Sequence, residues 1–382
     1  MRSVIADLPA SKIREVANAG IGRDDVLAFW FGESDEVTPT AIREAAAESL
    51  ARGETFYAHN LGLAELRQAI ADYTASLHPS VGVERIAVTS SGVNALMIAM
   101  QLLVGAGDEV VAVVPLWPNL TAQPAILGAE VTRVPLKAQA GAWRLDLQRV
   151  LDAVTSKTRV LLLNAPNNPT GWTLSRDEQQ ALLEHCRRTG TWIVADEVYE
   201  RLYFGDSPCA PSFLDIATAE DPLIVAHSFS KSFLMTGWRL GWLVVPPALL
   251  EATGKLIEFN TSCAPVFVQR AGLAALAGAE QSVPRLVAHL RDCRDTLLTQ
   301  LQAVPGVQVQ TPLGGMYAFF RVEGQDDSLA FAKRLVRDVG LGLAPGAAFG
   351  PEAEGWLRWC FASKDQQRLP AGVQRLRGAL GL

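Results

Sequence analysis

Between residues 85 and 246 the chain repeats one pattern: a short apolar run rich in Val and Ile, a turn, then an amphipathic stretch of helical length. The runs at 85–88, 109–114, 130–134, 159–163, 191–195, 223–226 and 240–245 read as strands, being short and rich in β-branched residues. The stretches between them read as helices, and Ser175-x-x-Glu178 opens the one at 175–188 with a capping box. Apolar strands alternating with helices predict an α/β fold with a mostly parallel sheet covered on both faces. Ligands of such sheets bind beyond the carboxyl ends of the strands, so chemistry is sought there.

After residue 271 the pattern changes. One long helix over 271–301 is expected to lead to strands at 307–310 and 316–321, a helix at 328–339 and a last strand at 356–361. This reads as a smaller α+β domain, 271–382, with an N-terminal segment, 1–35, folding back onto it. Residues 36–270 form the large domain.

Composition narrows the function classes. A net charge of −6, with no Lys/Arg-rich block, argues against a nucleic-acid partner. No uncharged apolar stretch reaches bilayer length and the N-terminus lacks a secretory signal, so no membrane partner is expected. The five cysteines lie far apart without CxxC spacing and read as reduced thiols, which points to the cytoplasm. With five dispersed histidines, they offer no metal site.

The strand ends carry the chemistry. Ser91-Gly92-Val93 precedes an apolar helix at 95–103, a turn whose free amides suit an anion or merely cap the helix. Trp117, between two prolines, is either a plate for a planar ring or loop packing. Asn167 and Asn168 place two amides in the crevice. Asp196 directly follows an apolar strand and needs a cationic or donating partner there, whether a protonated ring nitrogen or loop amides. Lys231, in Ser228-Phe229-Ser230-Lys231, sits in a segment poor in charge, whereas the other lysines read as solvated. Shielding from water lowers an amine's pKa and makes it nucleophilic; a snorkelling lysine is the bland alternative.

In this order, Ser-Gly-Val-Asn, Pro-x-Trp-Pro-Asn, Asn-Asn-Pro-Thr-Gly, Asp-Glu-x-Tyr and Ser-x-Ser-Lys with Arg239 eight positions on resemble the class I/II aminotransferases of fold type I. The resemblance extends upstream to Gly32 with Thr38-Pro39 and to Tyr57-x-x-x-x-Gly62. Downstream it takes in Pro345-Gly346-x-x-Phe349-Gly350 and Gly355-Trp356-Leu357-Arg358. It implies pyridoxal 5'-phosphate held as a Schiff base on Lys231, with Asp196 on the pyridine nitrogen. Asn168 and Tyr199 would bond the ring oxygen, and Trp117 would stack on the ring. Ser91, Gly92, Val93, Ser228 and Arg239 would hold the phosphate. It also implies that Arg358, with Asn168 and Gly32, grips the substrate carboxylate. Tyr57 would reach the neighbouring subunit's phosphate, which makes the protein a homodimer with shared sites.

The reaction implied is transfer of an α-amino group from an L-amino acid to a 2-oxo acid. A carbon–sulfur β-lyase on the same fold would share these residues. A non-catalytic cofactor-binding module would need a DNA-binding domain, for which the pattern leaves no room. Side-chain choice is sought at 6–11, Trp30, Phe31, Tyr57 and 259–263, where no arginine offers itself to a distal carboxylate. Val93 also replaces a polar residue common in relatives, so the expectation leans to neutral or apolar substrates.

Overall fold

A computed structural model describes residues 1–79 and 81–382. Seven strands form the main sheet: β1 Ile86–Thr89, β2 Glu109–Val114, β3 Glu130–Pro135, β4 Thr158–Asn164, β5 Trp192–Asp196, β6 Leu223–Ser228 and β7 Gly241–Val244. Their order is β1-β7-β6-β5-β4-β2-β3. All neighbours are parallel except β7, which runs antiparallel between β1 and β6. Each matches an expected strand to within a few residues. Burial on both faces explains why β1, β2 and β6 read as continuous apolar runs, whereas edge strand β3 is exposed along one side and alternates.

A second sheet, fully antiparallel, contains β8 Val307–Val309, β9 Tyr317–Val322, β10 Ala344–Pro345 and β11 Trp356–Cys360 in the order β8-β9-β11-β10. Leu27–Ala28 pairs in parallel with Leu341–Gly342, the residues just before β10. The capping box at Ser175 forms with both of its hydrogen bonds, and its helix runs Arg176–Thr189. The single helix expected over 271–301 is instead two, Val266–Ala277 and Ala279–Gln302, broken at Gly278. Apolar periodicity runs through the break; the backbone of a residue without a side chain turns there.

The segment following β5 is anchored by a buried ionic network. His78 Nδ1 lies 2.6 Å from Asp215 Oδ1, and its Nε2 lies 3.2 Å from Glu200 Oε2. Asp215 also pairs with Arg176. Glu197 accepts from Ser212 Oγ (2.5 Å) and the Phe213 amide (3.1 Å). Burial alone would lower the His78 pKa, but its bonds to Asp215 and Glu200 outweigh that and hold it up at about 10. Burial would raise the Asp215 carboxyl, yet His78 and Arg176 pull it down to about 2.

A raised imidazole pKa stabilises the fold fully below the unfolded value and loses that contribution as pH climbs through the folded one. His78→Gln is therefore expected to destabilise the protein by about 3 kcal/mol near pH 6. The gap should close progressively from about pH 6.5 towards pH 10. Thermal melts of both proteins across that range check this, and a gap independent of pH would contradict it.

Candidate active site

The ends of β1, β4, β5 and β6 and the start of β7 meet at one edge of the main sheet, facing Arg358 of β11. Between them lies a cavity of about 1170 Å³. Its wall includes Gly32, Gly92, Val93, Trp117, Asn168, Asp196, Tyr199, Ser228, Lys231, Arg239 and Arg358, every expected site residue but two.

At the first corner, β1 turns through Ser91 into the helix Gly92–Leu103. Ser91 adopts φ 127°, ψ 162°, a region normally reserved for glycine, at a cost of about 1–3 kcal/mol. Its side chain accepts the Asn94 amide and caps the helix instead of lining the cavity. That leaves the amides of Gly92 and Val93 as free donors of the first helical turn. Ser228, Ser230 and Arg239 stand on the same wall, with Arg239 within 3.5 Å of the Ser230 hydroxyl. Close approach requires Gly241: a Cβ there would lie 2.6 Å from the Gly92 nitrogen. The result is a pocket of amides, hydroxyls and one guanidinium suited to an anion.

The next corner holds buried Asp196 and half-buried Lys231. Among the described residues the Asp196 carboxylate accepts only from the Val198 amide, at 3.3 Å. Burial pushes its carboxyl up to about 7, against the pull of that amide and of Lys231. Lys231 donates from Nζ to the Gly32 carbonyl at 2.6 Å, and burial brings its amine down to about 8. The ammonium stands 5.6 Å from the centre of the Tyr199 ring. Opposite them, Arg358 is only 2% exposed. It donates to Asn168 Oδ1 (2.9 Å) and to the Trp30 carbonyl (2.6 Å), and its Nε is buried without an acceptor.

Tyr57, the second residue outside the cavity, is 89% exposed beside exposed Phe56. Asn167 does not face the crevice either, because its amide bonds the Pro115 carbonyl and the Thr170 amide and hydroxyl. Of the segments expected to choose the side chain, Leu8–Ser11 and Phe31 line the cavity, while 259–263 does not. Lys12 and Arg14 line it as well, so the wall carries cations just outside the segment at 6–11 where side-chain choice was expected. Ser230, Asn164 and Tyr317 were also missed. For Tyr317 the signal was Gly314-Gly315 just before a strand, a place where backbone and side chain reach a crevice.

The profile of the aminotransferase class I and II family matches residues 25–376. The chain belongs to this family. It is 31% identical to an aspartate aminotransferase of Pyrococcus horikoshii, over 97% of this chain and 94% of that one. It is 34% identical to an arginine–pyruvate transaminase of Pseudomonas aeruginosa, over 88% and 85%. The solved aspartate aminotransferase of Thermotoga maritima superposes with a TM-score of 0.92 at 30% identity, covering all of both chains. The protein is thus an amino-acid aminotransferase of fold type I, a family that uses pyridoxal phosphate. No helix among the described residues is long and apolar enough to cross a membrane.

Only a neutral amine attacks a carbonyl. Labelling of Lys231 by pyridoxal phosphate, trapped with borohydride and mapped by mass spectrometry, should therefore accelerate about tenfold per pH unit at low pH. It should level off above about pH 8. A midpoint near that of an exposed lysine would show that the amine is not desolvated.

Proposed function

We propose that this aminotransferase carries pyridoxal 5'-phosphate on Lys231 and moves the α-amino group of an L-amino acid to a 2-oxo acid. The observation that carries the reading is that Lys231 and Asp196 line one cavity, each desolvated enough to be shifted towards its neutral form. The donor set fits the cofactor. Gly92, Val93, Ser228, Ser230 and Arg239 suit its phosphate, Asp196 its ring nitrogen, Tyr199 and Asn168 its ring oxygen, and Trp117 its ring face. Ser91 contributes by shaping the turn. Bound there, pyridoxal phosphate supplies an aldehyde that takes up an amine and a ring that withdraws electrons from the adjoining carbon.

The side chains do the rest. Asp196, ionised against a protonated ring nitrogen, gains the counter-charge that its surroundings withhold. Lys231 would hold the cofactor through its Nζ and, as a neutral amine, would take up and give back the substrate's Cα proton. Its lowered pKa matches it to both tasks near neutral pH. Arg358, which lines the cavity, receives the substrate α-carboxylate through its guanidinium fork. Asn168 and Gly32 complete that end of the cavity.

The same reading divides the chain into a large cofactor-binding domain, 36–270, and a small one made of 1–35 with 271–382. The separation of the two sheets and the pairing of Leu27–Ala28 with Leu341–Gly342 support it. It also makes the protein a homodimer, supported by the exposed aromatic side chains of Phe56, Tyr57 and Phe259, with Tyr57 contributed to the partner's phosphate pocket. Five free cysteines support a cytoplasmic location.

Titration of the loaded protein with a panel of L-amino acids tests the reaction. Loss of visible absorbance with one equivalent of 2-oxo acid supports transamination, whereas pyruvate with ammonia would point to elimination. Arg358→Lys keeps the charge but loses the fork, so the amino-acid KM should rise at least about tenfold with the visible band retained. An unchanged KM would remove Arg358 from carboxylate binding. Sedimentation should give twice the chain's 41.1 kDa, and a monomer that keeps full activity would overturn the shared site.

A further inference from the structure

We infer that Tyr317 is a positioning residue: its hydroxyl donates to Tyr199 and so turns the Tyr199 proton towards the cofactor's ring oxygen. This rests on the role proposed for Tyr199 above. The two phenol oxygens lie 2.7 Å apart, both rings are buried, and the rings meet edge to face. Tyr317 occupies the first position of β9, and its ring faces the Arg358 guanidinium at 4.4 Å. Its hydroxyl fits against Gly32 only because that residue has no side chain; a Cβ there would stand 2.2 Å from the oxygen.

Each phenol has one proton to give. In the pair alone, either oxygen can be the donor. Once Tyr199 gives its proton to a ring oxygen, only one polarity remains, with Tyr317 donating and Tyr199 accepting. A donor into the Tyr199 oxygen also polarises Tyr199 into a stronger donor. The opposite polarity would aim Tyr199 lone pairs at an electron-rich ring oxygen. Packing does not explain the hydroxyl, since a phenylalanine would present the same ring to Arg358. Tyr317 thus touches both ends of the reaction, the ring oxygen through Tyr199 and the substrate carboxylate through Arg358.

Loss of the relay leaves more negative charge on the ring oxygen, which then holds the proton it shares with the lysine-linked nitrogen more tightly. Tyr317→Phe should raise the pH midpoint of the holoenzyme's visible absorbance by about 0.5–1 unit, the value of one hydrogen bond. The amino-acid KM should change less than about twofold, because the ring on Arg358 is kept. Tyr317→Leu removes ring and hydroxyl together and should shift both quantities. In a Tyr199→Phe background, Tyr317→Phe should leave the midpoint where it was. A midpoint unmoved by Tyr317→Phe, or a shift that persists without the Tyr199 hydroxyl, overturns the inference while leaving the cofactor assignment intact. A wild-type protein with no titrating visible band overturns both.

Discussion

A carboxyl and an amine share one cavity without being joined in an ion pair, and much of the structure serves to keep them apart. A desolvated carboxylate and a desolvated amine would gain most by meeting each other. Asp196 is instead fixed at the end of β5 with one amide for company, and Lys231 leans away to the Gly32 carbonyl. Both respond to burial by shifting towards neutrality. A flexible scaffold would let them collapse together. The sheet beneath them is apolar on both faces, and the loop after β5 is clamped from behind by His78, Glu197, Glu200 and Asp215. His78 pairs with Asp215 and Glu200, and Glu197 is held by Ser212 and the Phe213 amide, so the groups behind the site have partners while those within it are left wanting one.

The second sheet adds what the first cannot. A parallel sheet gathers its strand ends at one edge, but it offers nothing to face them. Antiparallel β9 and β11 bring Tyr317 and Arg358 across the crevice, and Phe319 is the residue paired with Arg358 in the ladder. A guanidinium so deeply buried is tolerated because two aromatic rings, Tyr317 and Phe349, and two acceptors surround it.

Much of this was legible in the sequence, and what was not follows a physical pattern. Strands buried on both faces announce themselves by composition, so the seven-stranded sheet and the residues at its ends could be placed. Lys231 stood out because its segment carried so little other charge. Arg358 and Tyr57 were different: taken alone, Arg358 reads as a surface charge, and only its place in the family pattern pointed inward. Asn167 and Asn168 are indistinguishable as neighbours, yet one braces the loop and the other meets Arg358, because the backbone turns between them. Tyr317 was hidden in a plausible strand. Its importance comes from what lies across the cavity, which local patterning does not encode.

The antiparallel strand β7 has a consequence for how the site comes into being. β1, which carries the anion-binding turn, has β7 as its only sheet neighbour among the described residues. Gly241 pairs with Thr89 on one side and Ser228 on the other, across a sequence gap from β1 of roughly 150 residues. During synthesis the turn at Ser91 therefore emerges long before the strand that secures it. The loop-closure entropy of that distant pairing must be met before Ser91, Ser228 and Arg239 stand together. The cofactor pocket is in this sense a late product of folding, so a nascent or truncated chain ending before residue 244 has the parts of the cradle but not the cradle.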